Sequence, residues 1–138
     1  MRLLNKAELE KSEMLNWKEF FVNAKNNQPW HKNDPEEDKE IVRVGIRLLT
    51  NEESNNITED LLDKRALDKG KTRTYRYSAN VLRKMDAAIV QWEGITDAEG
   101  QPALVSEKAL ALLPNWVAEG ILKEINAMNG LSEDEELD

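Results

Sequence analysis

The stretch between Ile41 and Leu48 alternates between apolar residues and polar or small ones, and it gives the firmest strand signal in the chain. Its apolar positions are Val42, Val44, Ile46 and Leu48. Successive side chains of a strand point to opposite faces, so this period of two predicts a strand with one buried face. The next residues, Thr50-Asn51-Glu52-Glu53, match a capping box, which predicts that a helix begins directly after the strand.

Most of the remaining chain has helical spacing. Residues 5–23 are predicted to form an amphipathic helix whose apolar stripe consists of Leu9, Met14, Trp17, Phe20 and Phe21. Residues 25–39 are rich in turn formers and charges and are interpreted as a linker. Further helices are expected over residues 51–67, 78–93, 106–113 and 115–129. A second short strand is expected over residues 72–77, paired with the first.

These patterns predict a mainly α fold, a small helical domain with a short two-stranded β element. The length of 138 residues is enough for one hydrophobic core. We divide the chain into an N-terminal helix and linker extension (1–39), a mainly helical core domain (40–130) and an acidic tail (131–138). Five of the eight tail residues are acidic, and the tail is predicted to be disordered.

Charge is unevenly placed along the chain. Residues 64–84 hold eight bases and one acid, a local balance of +7, and because the whole chain carries −8, the rest carries −15. These bases are either solvated or neutralised within the subunit, or they lie against the acidic end of a second copy, which would give self-association. Nucleic acid is not an expected partner, because the net charge repels phosphates.

The sequence lacks the usual marks of catalysis. It has no cysteine, and its one histidine, His31, has no second histidine or cysteine with which to hold a metal. Its six glycines form no phosphate-binding loop. Asp97-Ala98-Glu99-Gly100 lacks the ligands of a calcium loop and is expected to be a turn held by the aspartate side chain. We therefore expect no enzymatic activity, no cofactor and no bound metal.

Localisation is predicted from what the chain lacks. The chain has no cysteine, so nothing in it suggests an oxidising compartment. No signal peptide is recognisable, and no window approaches the roughly 20 apolar residues of a membrane span. A cytoplasmic protein without a membrane partner is therefore expected.

The order of motifs from the strand onward resembles a known family. The strand and capping box are followed by Ile89-Val90-Gln91-Trp92-Glu93-Gly94-Ile95, then by Asp97-Ala98-Glu99-Gly100-Gln101-Pro102 and leucine-rich helices. Over roughly residues 40–129 this arrangement is similar to the small tail assembly chaperones of long-tailed bacteriophages. The resemblance implies a nonenzymatic helper in the host cell cytoplasm that binds the tape measure protein or the tail tube protein and is absent from the finished particle.

Such a helper would need apolar and aromatic residues for its partner. From the helical stripes we select Trp17, Phe20, Phe21, Trp92, Trp116, Val117, Ile121 and Ile125 as candidate partner-binding residues. Two alternatives concern the same residues. Trp92 also fits a core position, and the aromatic stripe of the N-terminal helix also fits docking on the protein's own body.

Other functions remain open at the level of sequence. The N-terminal extension lies outside the resemblance, and an arm of this kind fits a structural virion component, such as a head or connector accessory protein. The acidic tail fits, less well, an inhibitor or adaptor that mimics nucleic acid.

Overall fold

The computed structural model describes residues 1–54 and 81–129 of the chain. In this part three strands form one antiparallel sheet in the order β1-β2-β3, with β1 at Asn16–Asn23, β2 at Lys39–Ile46 and β3 at Ile89–Glu93. Its α-helices include α1 (Lys6–Leu9), α2 (Val81–Ala88), α3 (Glu107–Ala111) and α4 (Asn115–Met128). The fold is mixed α/β, so the mainly α prediction is wrong.

The N-terminal segment departs most from the prediction. Instead of one amphipathic helix over residues 5–23, the chain forms the single turn α1, a short 3-10 helix at Ser12–Met14 and then β1. Trp17, Phe20 and Phe21 fit one helical stripe, but they fit the two faces of a strand equally well. Aromatic and β-branched residues favour a strand once a neighbouring strand can pair with them, and β2 pairs with β1 along its whole length.

The predicted linker is the connection of a β-hairpin. Just beyond β1 the chain turns back, with Asn27 at a φ of 57°, and lies along the far side of β1 from β2. There the Asn23 N–H donates to the Gln28 carbonyl at 2.8 Å, and the Trp30 N–H donates to the Phe21 carbonyl at 2.9 Å. A 3-10 helix at Glu36–Asp38 then leads into β2.

The helix predicted over residues 78–93 is wrong in its last part. Residues 89–93 form β3, which pairs with β2 so that Glu93 lies opposite Arg43 and Trp92 opposite Val44. Ile89, Val90 and Trp92 all have side chains that favour strands. Helical spacing alone could not show that an unpaired edge of β2 was available to them.

Gly94 follows β3 with a φ of +87°, a conformation that side chains other than glycine's rarely adopt. A Cβ placed on this residue would lie 2.3 Å from the Ile41 carbonyl oxygen. The glycine is therefore required twice, by its own backbone angle and by the close approach of the neighbouring strand.

The hydrophobic core lies between one face of the sheet and the helices. Its sheet side includes Phe20, Val22, Val42, Val44, Ile46 and Ile89, and its helix side includes Met85, Leu110, Val117, Ile121 and Ile125. Gly120 of α4 lets the helix approach the sheet, because a Cβ there would lie 2.6 Å from Phe20 Cε1. The side chain of Asn16 also donates a hydrogen bond to the Glu124 carboxylate, which ties the start of β1 to α4.

The capping box after β2 is confirmed. The Glu53 N–H donates to Thr50 Oγ1 at 3.2 Å, and the Thr50 N–H donates to Glu53 Oε1 at 2.9 Å; residues 51–54 are helical. The Glu53 carboxylate also accepts two hydrogen bonds, at 2.8 and 2.5 Å, from Arg47, whose side chain is 1% exposed. This guanidinium holds the pKa of Glu53 at about 2, below its ordinary value of 4.5.

The predicted corner before the last helix is also confirmed. Ser106 caps α3 by accepting a hydrogen bond from the Ala109 N–H at 3.1 Å. Pro114 precedes α4, whose residues Val117, Ile121 and Ile125 form the expected apolar stripe. The rest of the helix after residue 54, the strand over residues 72–77 and the acidic tail lie outside the described residues.

Most of the basic stretch over residues 64–84 also lies outside the described residues. Its last member, Lys84, is buried, and its Nζ donates to Asn126 Oδ1 at 2.6 Å. In residues 1–54 and 81–129, no helix combines the length and the apolar composition needed to cross a membrane.

Candidate interaction surface

The two faces of the sheet differ in what covers them. The even-numbered residues of β1 and β2 lie on the core side, where Phe20, Val42 and Val44 are buried. The odd-numbered residues lie on the opposite, outer face, and among them Phe21 is 44% exposed and Ile41 is 47% exposed. Because these two residues are direct register partners, they form one apolar patch.

A row of charged side chains crosses the middle of the outer face. Arg43 of β2 lies opposite Glu19 of β1 and opposite Glu93 of β3. Its guanidinium is 3.7 Å from the Glu19 carboxylate and 3.2 Å from the Glu93 carboxylate. Exposed pairs of this kind add little stability, but they place the guanidinium between two carboxylates in the centre of the face.

The Arg43 guanidinium also contacts an aromatic ring. Arg43 Cζ lies 4.7 Å from the centroid of the Trp17 ring, within the range of a cation–π interaction. Trp17 lies opposite Gly45, and the missing side chain there leaves space that the indole ring and Leu15 occupy.

A second cation–aromatic cluster lies at the other end of the face. Lys39 Nζ is 4.9 Å from the centroid of the Phe21 ring and 4.6 Å from the centroid of the Trp30 ring. Trp30 reaches this position because its backbone pairs with Phe21, and its indole N–H donates to the Pro35 carbonyl at 3.3 Å. Lys39 is thus held between two rings.

We call the surface formed by these residues the aromatic face; its members are Trp17, Phe21, Trp30, Lys39, Ile41 and Arg43. Large aromatic residues and arginine are the side chains that contribute most to protein–protein contacts. Here they stand on a hydrogen-bonded sheet and contact one another, which reduces the ordering of side chains that binding requires. The composition of the aromatic face is therefore that of a surface suited to contact with another protein.

The predicted partner-binding residues divide between this surface and the core. Trp17 and Phe21 belong to the aromatic face. Four others, Phe20, Val117, Ile121 and Ile125, are buried in the core. We therefore retain Trp17 and Phe21 of the predicted set in the candidate surface.

The two remaining predicted residues have structural hydrogen bonds. The Trp92 indole N–H donates to the Ala103 carbonyl at 2.7 Å, which closes the loop after β3. In that loop Asp97 Oδ1 accepts from the N–H groups of Glu99 and Gln101, both at 2.9 Å, so the expected aspartate turn is confirmed. The Trp116 indole N–H donates to the Asn27 carbonyl at 2.9 Å, and its ring packs edge-on against Phe20.

Sequence reasoning missed Trp30, Lys39, Ile41 and Arg43 as surface members. Ile41 and Arg43 lie within the strand predicted from the alternation. Their odd positions put them on the other face of the sheet from the buried valines. Trp30 and Lys39 were assigned to a linker, because nothing local in the sequence indicates that this segment folds back along β1.

A small cleft opens between the hairpin and the corner before α4. It has a volume of about 150 Å³, and it is lined by apolar residues such as Val22, Ile95 and Leu113, with Glu40 and Asn27 among them. It lies near the other end of β1 from Trp17, and we do not include it in the aromatic face.

Among residues 1–54 and 81–129, no group of three histidine, aspartate or glutamate side chains could hold a metal ion. His31 lies exposed in a turn, where its backbone N–H donates to Asp34 Oδ2 at 2.8 Å. No protein-family model matches the chain, and neither a curated protein nor a solved structure is significantly similar to it.

Proposed function

We propose that the protein is a nonenzymatic binding protein of the tail assembly chaperone kind, acting in the host cell cytoplasm. Its partner would be the tape measure protein or the tail tube protein of a long-tailed phage. The motif order of residues 40–129 supports the choice of this family, and the aromatic face supports the binding role.

One observation carries the binding role. Phe21 and Ile41 are exposed side by side on two paired strands, next to cations that lie on Trp17 and Trp30. The solvent-facing side of an antiparallel sheet usually carries polar side chains. Adjoining exposed apolar and aromatic side chains on that side therefore suit a protein contact. A helper that shields apolar surface on a subunit before assembly needs such a patch of its own.

The arm expected of a structural virion component loses its basis. Residues 16–23 were to supply the aromatic stripe of that arm, and they form β1 of the central sheet. Phe20 and Val22 of this strand belong to the hydrophobic core. We therefore do not carry the structural alternative further as a proposal.

The test is co-expression with the tape measure protein and, separately, with the tail tube protein encoded in the same genome. We expect the protein to co-purify with one of them and to be missing from purified particles. The double variant Phe21→Thr/Ile41→Thr should lose capture, since threonine suits a strand but removes the exposed apolar surface. Capture that survives this change, or stoichiometric presence of the chain in mature virions, would contradict the proposal.

A matched control separates surface from fold. Leu112 is 81% exposed, lies at the C-terminal end of α3 and is not a member of the aromatic face. Leu112→Thr removes a comparable exposed apolar side chain and should leave capture unchanged. If Leu112→Thr weakens capture as much as the double variant does, the binding surface is not the aromatic face.

A further inference from the structure

The free edge of β1 is a second feature of the same region. The Asn23 N–H and the Phe21 carbonyl point away from β2, because they pair with Gln28 and Trp30. N–H and carbonyl groups alternate sides along a strand, so those of Trp17 and Glu19 point the same way. Among the described residues, no backbone group pairs with them.

The chain itself already uses this edge as a template. Residues 28–30 lie antiparallel to β1 and form an isolated bridge between Val22 and Pro29. Their pairing stops at Trp30, whereas β1 continues to Asn16. An added strand that continues the line of residues 28–30 would find the N–H and carbonyl groups of Trp17 and Glu19 in the same orientation.

From this geometry we propose that β1 accepts an extended segment of another protein as an additional antiparallel strand, at Trp17 and Glu19. This inference rests on the proposed function in one respect only, which is that the natural donor of the strand is the protein partner. Backbone hydrogen bonds would give this contact its affinity, and side chains flanking the edge would choose the sequence.

A second copy of the chain does not fit the edge well. A symmetric antiparallel register with Trp17 opposite Glu19 places the two Lys18 side chains directly opposite one another. A register with Glu19 opposite Glu19 opposes two carboxylates, and one with Trp17 opposite Trp17 leaves Glu19 facing residue 15, beyond the start of β1. Like charges directly opposite each other destabilise paired strands.

The same charges describe the strand that does fit. The residue opposite Glu19 lies on the outer face and should be basic, and the residue opposite Lys18 lies on the core side and should be acidic. The residue opposite Trp17 returns to the outer face, beside the indole ring, and should be apolar. Because the partner strand is antiparallel to β1, its sequence from the N-terminus to the C-terminus is basic, acidic, apolar.

The probe is the peptide acetyl-Arg-Glu-Val-Thr-Val-amide, titrated into isotopically labelled full-length protein. We expect the backbone amide resonances of Trp17 and Glu19 to shift to the fields typical of hydrogen-bonded strands. A peptide with the first two residues exchanged should bind at least about fivefold more weakly, because both cross-strand pairs then oppose like charges. Equal affinity of the two peptides would overturn the assigned register and charge order.

N-methylated peptides supply the matched control. The arginine N–H would face β1, so its methylation should weaken binding at least about tenfold, whereas the glutamate N–H would face away, and its methylation should have little effect. If both methylations weaken binding equally, or if no peptide binds at millimolar concentration, the strand does not add to this edge.

Variants of the protein connect the edge to the natural partner. Glu19→Pro removes an outward N–H without touching the β1–β2 ladder, which proline tolerates on an edge strand, and Glu19→Thr removes the charge alone. Partner capture should fall at least about tenfold further for the proline variant than for the threonine variant. Capture that depends on Phe21 and Ile41 but is equal in these two variants would refute the added strand and leave the proposed function standing. Binding of the peptide with the predicted methylation pattern, together with no capture of either phage protein, would support the added strand and contradict the proposed function.

Discussion

The indole ring of Trp17 lies over Gly45, its register partner on β2. A Cβ on Gly45 would be 3.0 Å from Trp17 Cη2 and 2.9 Å from Leu15 Cδ1, closer than normal van der Waals contact. The position of the ring at one end of the aromatic face therefore depends on the absence of a side chain on the neighbouring strand.

Gly45→Ala should displace the Trp17 ring. Both contacting atoms are ends of flexible side chains, so we expect the free energy of unfolding to change by no more than about 1 kcal/mol. Partner affinity should fall several-fold, because the ring and the Arg43 guanidinium stacked on it would both shift. Urea denaturation and binding titration measure the two effects. An unchanged affinity together with a moved indole resonance would show that Trp17 does not contact the partner.

Surface and core positions should respond in opposite ways. Ile121 is fully buried, and Ile121→Ala should lower the free energy of unfolding by about 2–5 kcal/mol through a cavity. Ile41 is exposed, so Ile41→Thr should change the free energy of unfolding by less than about 1 kcal/mol. The same variant should weaken partner capture. Thermal unfolding and pull-down of the same preparations test both. A strong loss of stability in Ile41→Thr would mean that this residue is part of the core.

Two glycines with similar backbone angles offer an internal comparison. Gly94 and Gly100 have φ of +87° and +81°, but a Cβ on Gly94 would strike the Ile41 carbonyl at 2.3 Å, while one on Gly100 meets nothing within 4 Å. Gly100→Ala should cost about 1 kcal/mol, the strain of the angle alone. Gly94→Ala should cost at least about 3 kcal/mol, since strand β2 must also move. Equal midpoints in urea denaturation would contradict the observed close approach.

Acid should weaken the fold through Glu53. Its pKa is about 2 in the folded protein, against an ordinary 4.5, because Arg47 donates two hydrogen bonds to the carboxylate. A lowered pKa stabilises the folded state above pH 4.5, and this contribution is lost as the pH falls from 4.5 towards 2. Because the carboxylate is partly exposed and solvent screens it, the contribution is about 1–2 kcal/mol.

The variant Glu53→Gln isolates this contribution. Its free energy of unfolding should be lower than that of the unmodified protein at pH 7, and the difference should shrink as the pH falls towards 2. Glu52→Gln changes an exposed neighbour and serves as the control. A difference that stays constant from neutral to acid pH would exclude the Arg47–Glu53 pair as its source.

Features that depend on local residues could be predicted from the sequence. Five such features require only neighbouring side chains. They are the strand with its period of two, the capping box at Thr50, the cap at Ser106, the corner at Pro114 and the aspartate turn at Asp97. For the same reason the sequence contained the apolar stripe of α4, although it could not show that the stripe faces the protein's own sheet.

Features that depend on pairing between distant segments could not be predicted from the sequence. Residues 16–23 and 89–93 have spacing that a helix accepts, and only the two edges of β2 make them strands. The aromatic face followed the same rule. Trp17 and Phe21 were selected as members of a helical stripe, and Trp30 and Lys39 join them only because the chain beyond β1 folds back along it.

The position of β2 between its neighbours has a consequence for how the chain folds. One side of β2 meets β1 through a hairpin, whereas the other meets β3 across fifty residues, as between Arg43 and Glu93. Closing a short loop costs less chain entropy than closing a long one, so we expect the hairpin to form early and to serve as the nucleus onto which β3 is recruited. During synthesis, the hairpin would leave the ribosome well before β3 does, and until then both the apolar side of the hairpin and the far edge of β2 would lack their final covering.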